Sequence, residues 1–197
     1  GGLFSSLVVA YLRMLPGGAA WLQAALGAQL GAIIETSDTG LRLLTDPMDA
    51  YISLPTEVKE EVDRDVERGQ AESVQDHLKV VETLSQRSVE LCKRCEAVLQ
   101  AVLAAAPNAP RALRSLAHAL TGGTRSLLGE GSTAEGDGAH RRSRALVALL
   151  FNCYVLPALT TPEAYGMHIN SMTVGTIARQ NLSALAVSLE QLVALVG

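Results

Sequence analysis

The side chains that could do chemistry in this chain are few and far apart. Cys92 and Cys95 have the Cys-x-x-Cys spacing that lowers thiol pKa values in redox sites and supplies half of many zinc sites. No second pair accompanies them, and none of the four histidines lies at ligand spacing: His77, His118, His140 and His168. We interpret both cysteines as ordinary residues of a helix face, and the sequence indicates neither a metal nor a cofactor.

Three further patterns do not indicate an active site. The Gly-rich segment 129–138 lacks the Gly-Lys-Ser/Thr ending of a phosphate-binding loop and follows no predicted strand. The Asn-Leu-Ser triplet at 181–183 falls inside an amphipathic pattern, so we interpret its match to a glycosylation acceptor as chance. A cluster of arginines at 141–144 is interpreted as a solvated helix end, with contact to an acidic partner as the alternative. No Ser, His and Asp set is marked by a local motif, so no nucleophile is nominated.

Composition and charge exclude several classes of protein. The 197 residues suit a single domain over 1–197, with a formal net charge of −4. Residues 1–110 hold 9 Lys and Arg against 15 Asp and Glu, and residues 111–197 hold 7 against 5. This positive bias is too weak for nucleic-acid binding, which requires basic clusters with interleaved aromatic side chains.

Cysteine usage and the apolar runs predict a cytoplasmic location. Three cysteines without dense, even spacing favour a reducing compartment. The longest apolar runs fall short of the roughly 20 residues that span a bilayer, so we expect no transmembrane segment. Because the chain begins at Gly1 without an initiator Met, we expect it to be a piece of a larger protein.

The elements that must position any site are predicted to be helices throughout. Ala and Leu abound, aromatic residues make up only 4%, and no segment alternates with a period of two. Apolar periodicity predicts helices at 3–14, about 19–36, 72–105, 110–128, 140–156 and 174–196. Asp46 is predicted to cap a helix that Pro47 opens. A flexible loop is predicted at 129–138, and Pro157 is expected to break its helix.

Four stretches in sequence order resemble the Ras GTPase-activating protein (RasGAP) family. They are "LLTDPMDAY" at 43–51, "APRALRSLAHAL" at 109–120, "LLFNCYVLPALTTPEAYG" at 149–166 and "ARQNLSALAVSLEQL" at 178–192. The first is most similar to the IQGAP branch of scaffold proteins. Matching motif positions that we assign a structural role are Asp46, Pro47, Pro110, Leu113, Pro157, Pro162 and Leu182.

The resemblance implies a domain that docks onto a small GTPase but lacks the catalytic cations. An active RasGAP inserts an arginine finger after a Leu-Phe pair, and here that position is Ser5, or Ser6 if the register slips by one. The arginine that braces the finger lies four residues before the motif proline, where this chain has Cys153. The lysine of the last helix corresponds to Val187. A finger is worth about 10³ to 10⁵ in rate, and a neutral hydroxyl cannot supply that charge stabilisation.

By the same resemblance, Arg114, Arg179 and Asn181 would face the GTPase. Their alternative roles are structural: Arg114 could brace neighbouring helices, and Asn181 could hydrogen-bond exposed carbonyls near the break at Pro157, which is the role we prefer for Asn181. Arg13 is the nearest other cation to the finger position but lies about two helical turns away.

Three functions therefore stay open. The favoured one is a catalytically silent domain that binds a GTP-loaded Rho or Ras family protein within a cytoskeletal scaffold, at the cell cortex or actin cytoskeleton. The second is a genuine GTPase activator that uses an unrecognised cation or the glutamine of the GTPase. The third is a structural or dimerisation module.

Overall fold

The protein is built from helices, as the sequence predicts. The computed structural model describes residues 3–127, 135–168 and 174–196, and no strand occurs in those ranges. The helices are α1 (Leu3–Arg13), α2 (Gly18–Asp38), α3 (Pro47–Ser53), α4 (Thr56–Glu67), α5 (Leu78–Ala105), α6 (Arg111–Leu127), α7 (Glu135–Leu150), α8 (Leu156–Thr160) and α9 (Thr176–Val196). Short 3₁₀ turns at Val74–Asp76, Ala106–Asn108 and Pro162–Tyr165 connect some of them.

The core forms where α2 packs against α5 and α9, and where α8 packs against α9. Aliphatic side chains at helical spacing fill it, which agrees with the low aromatic content. The fully buried leucines and isoleucines of α2 and α9 are Leu22, Leu26, Leu30, Ile33, Ile34, Leu182, Leu185 and Leu189. The motif leucine Leu182 is thus a core residue, and Leu113 of α6 is buried as well.

A tight corner separates α1 from α2, whose axes differ in direction by 89°. Gly17 has φ of +76°, the left-handed region that side chains other than glycine seldom adopt. The amide of Gly18 donates to the carbonyl of Leu15 across the corner, at 2.9 Å. The corner turns α1 back onto the later helices, where it packs against residues 151–155.

The Asp-Pro element begins a helix in the predicted manner. The Asp46 carboxylate accepts a hydrogen bond from the Asp49 amide at 2.8 Å, and Pro47 is the first residue of α3. The carbonyl of Pro110 likewise accepts from the Arg114 amide at the start of α6. Pro47 is thus the first residue of its helix, and Pro110 lies immediately before the first residue of α6.

The predicted break at Pro157 is wrong. Residues Phe151–Val155 form a π turn, in which the Leu156 amide donates to the Phe151 carbonyl, and helix α8 continues through Pro157 to Thr160. In an α-helix the ring of Pro157 would clash with the carbonyl of Cys153, four residues earlier. Because the π turn shifts the carbonyls out of that register, the chain stays helical. Pro162 then opens the 3₁₀ turn that follows.

Two further differences concern the second half of the chain. Helix α7 begins at Glu135, so the last four residues of the predicted 129–138 loop are helical, while 129–134 lie outside the described residues. The helical stretch Ser143–Thr160 reaches 18 residues with a mean hydropathy of 1.4, long and apolar enough by composition to cross a bilayer, contrary to our expectation. A core helix meets the same criteria, and Cys153–Leu156 within this stretch are buried against the other helices.

Candidate functional site

A groove of about 580 Å³ runs along one face of α9. Its floor comes from residues of α9 that recur every three or four positions, and its walls come from the segment before α3 and from Leu91 of α5. The lining side chains are Leu44, Thr45, Leu91, Val174, Thr176, Arg179, Gln180, Ser183, Ala184, Val187, Ser188 and Gln191. Hydroxyls, amides and apolar groups dominate this lining, and none of the described residues in it carries a carboxylate. Such a surface is suited to binding rather than to proton transfer.

Asn181 holds the segment that forms one wall of the groove. It is 1% exposed, and its Oδ1 accepts from the Leu43 amide at 2.7 Å. Its Nδ2 donates to the Leu41 carbonyl and to the Ser37 hydroxyl, each at 2.8 Å. With its amide committed to these partners, Asn181 is not placed to contact a partner protein. We therefore assign Asn181 a structural role in place of the predicted contact with the GTPase. Its bonds join α9 to residues 37–43, and not to carbonyls near Pro157 as we expected.

Arg87 of α5 holds the same segment from the other side. Its Nη1 donates to the Leu44 carbonyl at 2.7 Å and to Oδ2 of Asp49 at 2.8 Å, and its Nη2 donates to the Ser53 hydroxyl at 2.6 Å. Oδ1 of Asp49 also accepts from Arg42 at 3.2 Å. A buried guanidinium and a carboxylate thus fix segment 41–46 against α3 and α5.

Arg179 lies at the rim of the groove. Its Nη2 pairs with Oε1 of Glu163 at 2.7 Å, and the two side chains are 48% and 53% exposed. An exposed pair of this kind contributes about 0–1 kcal/mol, so the guanidinium can exchange Glu163 for a carboxylate on a partner. This position is compatible with the predicted contact to a GTPase.

Arg114 is exposed on α6 but is not among the residues that line the groove. The structure therefore does not bring Arg114 and Arg179 together in this one site. Val187, at the position of the family's lysine, does line the groove and is 52% exposed.

The finger positions lie on α1, and the bracing position lies on the π turn that follows α7. Ser5 and Ser6 are in the first turn of α1 rather than in a loop, because the helix begins at Leu3. Cys153 is 8% exposed in the π turn against which α1 packs. The guanidinium of Arg13 lies 5.2 Å from the centre of the Tyr165 ring, at the opposite end of α1 from the serines.

An aromatic cluster supports the π turn. The ring of Tyr154 stacks on Trp21 with centroids 6.0 Å apart and meets Tyr165 edge-on at 5.9 Å. Burial, with a smaller contribution from Tyr165, raises the pKa of Tyr154 to about 12. Neither tyrosine hydroxyl finds a hydrogen-bond partner within the described residues. The cluster is a packing feature next to the bracing position.

The paired cysteines differ in their surroundings. Cys92 is exposed and Cys95 is buried, and burial, with a smaller contribution from Cys92, raises the pKa of the Cys95 thiol to about 11. A raised pKa disfavours the thiolate that redox or metal chemistry needs. Within the described ranges, no three His, Cys, Asp or Glu side chains are grouped to hold a metal ion.

Arg87 was not predicted from the sequence to belong to this site. It occupies the buried face of α5, in register with Val80, Leu91 and Val98. The available signal was an arginine at a position where the helical periodicity predicts an apolar residue. Its partners were not foreseeable, because Leu44 and Asp49 are 43 and 38 residues away along the chain.

Comparison with known proteins identifies the family. The family model described as "GTPase-activator protein for Ras-like GTPase" matches residues 2–194. A search of curated protein sequences gave no match. The family's domains bind small GTPases of the Ras type, which agrees with a groove suited to binding. The chain belongs to the RasGAP family of GTPase-activator proteins for Ras-like GTPases.

Proposed function

We propose that this domain binds a GTP-loaded small GTPase of the Rho or Ras family without accelerating GTP hydrolysis, as a member of the IQGAP type. The groove along α9 is the proposed contact surface, with Arg179 at its rim as the cation offered to the partner. Arg114 on α6 is a second proposed contact, outside the groove. The proposed setting is a larger cytoskeletal scaffold in the cytoplasm, at the cell cortex or on actin.

The observation that best supports the lack of activation is that Cys153, a neutral residue, occupies the bracing position. The register from the motif proline to the bracing position contains no gap, so the assignment of Cys153 does not depend on alignment across an insertion. A thiol that is 8% exposed can neither stabilise negative charge on a phosphate nor orient an arginine finger through charge-assisted hydrogen bonds. Ser5 or Ser6 at the finger position and Val187 at the lysine position are neutral too.

Pull-down with GTPases in two nucleotide states tests the binding half of the proposal. We expect a Rho or Ras family member loaded with a non-hydrolysable GTP analogue to be retained, and the same protein loaded with GDP to be retained at least tenfold less. Nucleotide-independent or absent retention across the panel would favour a structural module instead.

Activation of GTP hydrolysis is the second candidate function, and the family match favours it. It would use Arg13 or another cation outside the finger register, or rely on the glutamine of the GTPase. Stimulation of GTP hydrolysis by the wild-type domain would establish the activator. An Arg13→Gln variant then tests whether Arg13 is its cation, since this substitution would abolish the stimulation.

A further inference from the structure

We infer that Arg87 is a positioning residue for partner binding, because it fixes Leu44 and Thr45 as one wall of the groove. The inference rests on the proposed function, since it takes the groove as the contact surface. Arg87 itself is 7% exposed and lies behind the wall, so it acts through segment 43–45 and not by touching the partner.

The surroundings of Arg87 indicate a role in geometry. Removing a guanidinium from water is costly, and a buried ion pair often gives no more stability than apolar residues of the same volume. Here the cost is offset by three acceptors on two structural units: the Leu44 carbonyl of the groove wall, and Asp49 and Ser53 of α3. These acceptors match the rigid fork of a guanidinium, whose donors point in fixed directions.

The wall is held from both faces by residues of different helices. Arg87 of α5 binds the carbonyl of Leu44, and Asn181 of α9 binds the amide of the preceding Leu43. Neither bond depends on side chains of segment 43–45, so the segment's backbone is fixed while the side chains of Leu44 and Thr45 are left to line the groove. A wall ordered before binding avoids the entropy cost of ordering it on contact.

Arg87→Lys tests the inference, because it retains the positive charge beside Asp49 but cannot reproduce the fork. Ser53→Ala is the matched control, since it removes one acceptor of Arg87 on the α3 side and leaves the bond to Leu44 in place. Hydrogen exchange at the Leu43 amide reports on the wall without any partner. Affinity is measured by titration with the GTPase that the pull-down identifies, loaded with the GTP analogue.

We expect Arg87→Lys to speed exchange at Leu43 by about tenfold or more, the effect of losing one hydrogen bond to a charged group. GTPase binding should weaken by about tenfold, because the wall must then be ordered on contact. Exchange in the α2 core should be unchanged, and Ser53→Ala should change affinity by less than about threefold. The measurements are made well below the unfolding midpoint of each variant. A merely structural Arg87 would lower that midpoint and leave the affinity intact.

Should Arg87→Lys fail to fold, Arg87→Gln is measured in its place, because it removes the buried charge, leaves Asp49 paired with Arg42 and lacks the fork of donors that joins Leu44 to α3. The same order of effects is expected at Leu43 and in affinity. Faster exchange at Leu43 with unchanged affinity would overturn the positioning role. Unchanged exchange at Leu43 in the Arg87 variant would also overturn the positioning role, whether or not the wild-type domain binds a GTPase. A wild-type domain that binds no GTPase while Leu43 responds to Arg87→Lys would overturn the proposed function instead, so the two failures are distinguishable.

Discussion

Asn181 connects two segments of the chain that lie 138 residues apart in sequence, through its bond to Leu43. Replacing it with alanine would leave the Leu43 amide and the Leu41 carbonyl without their partner. An orphaned buried polar group costs about 1–3 kcal/mol, so Asn181→Ala should lower the free energy of unfolding by about 2–4 kcal/mol. Urea denaturation measures this.

The exposed neighbour Gln180 provides the control for that experiment. Gln180→Ala should change the free energy of unfolding by no more than about 0.5 kcal/mol, as is usual for surface positions. Equal effects of the two substitutions would contradict the structural role that we assign to Asn181.

The raised pKa of Tyr154 predicts that the folded protein loses stability in alkali. Its pKa is near 10 when unfolded and about 12 in the folded protein, so the unfolded chain releases its proton first as the pH rises. The contribution of Tyr154 is therefore constant below pH 10 and falls between pH 10 and 12, by at most about 1.4 kcal/mol per pH unit.

Comparison with Tyr154→Phe isolates this effect from other groups that titrate in alkali. The difference in unfolding free energy between the two proteins, measured by denaturation at pH 8 and pH 11, should shift in favour of the phenylalanine variant at the higher pH. A difference that stays constant with pH would show that the Tyr154 hydroxyl is not desolvated in the folded protein.

At the scale of elements, the first turn of α2 fits closely under the π turn. A β-carbon on Gly18 would overlap the hydroxyl of Tyr154, whereas one on Gly31, also in α2, would meet nothing within 4 Å. We expect Gly18→Ala to destabilise the protein by about 1–3 kcal/mol through overpacking. Gly31→Ala should stabilise it by about 0.5–1 kcal/mol, because alanine favours a helix more than glycine does.

Thermal unfolding of both variants checks these signs. Combining Gly18→Ala with Tyr154→Phe should recover much of the loss, since the phenylalanine lacks the overlapping hydroxyl. Two alanine variants that change stability in the same direction would indicate that α2 and the π turn are not packed as described.

Predictability from sequence also differs between elements. The cap at Asp46 and the start at Pro47 were predicted because their signals are local, and α9 begins within two residues of its predicted start. The helix through Pro157 was not predicted, because no local signal indicates the π turn; Tyr154 within this turn packs against Trp21, which lies more than 130 positions earlier in sequence. The hydrogen bonds from Arg87 to Leu44 and from Leu43 to Asn181 were not predicted either, because these residues are 43 and 138 positions apart in sequence.

At the scale of the whole molecule, the helical class followed from composition and periodicity, and the family followed from four motifs in order; both are confirmed. The groove could not be predicted, because it depends on how α5 and α9 approach the segment before α3. That the catalytic cations are absent remains a prediction, made from the spacing of these positions relative to the family's motifs.

Restoring a finger alone should not restore catalysis. Ser5→Arg places a cation at the finger position, but Cys153 cannot orient it. We expect this variant to raise single-turnover hydrolysis by less than about tenfold over the wild-type domain, far below the 10³ to 10⁵ of a complete finger. Larger rescue by this single change would show that Cys153 is not at the bracing position.

Single-turnover GTP hydrolysis tests most directly whether the domain binds a GTPase without activating it. The rate is measured for a GTPase that the domain retains in pull-down, with and without saturating wild-type domain. We expect the GTP-loaded protein to be bound while its hydrolysis rate changes by less than tenfold, which is about 1.4 kcal/mol in barrier height. Acceleration above tenfold would contradict the proposed function and identify the domain as an active GTPase activator.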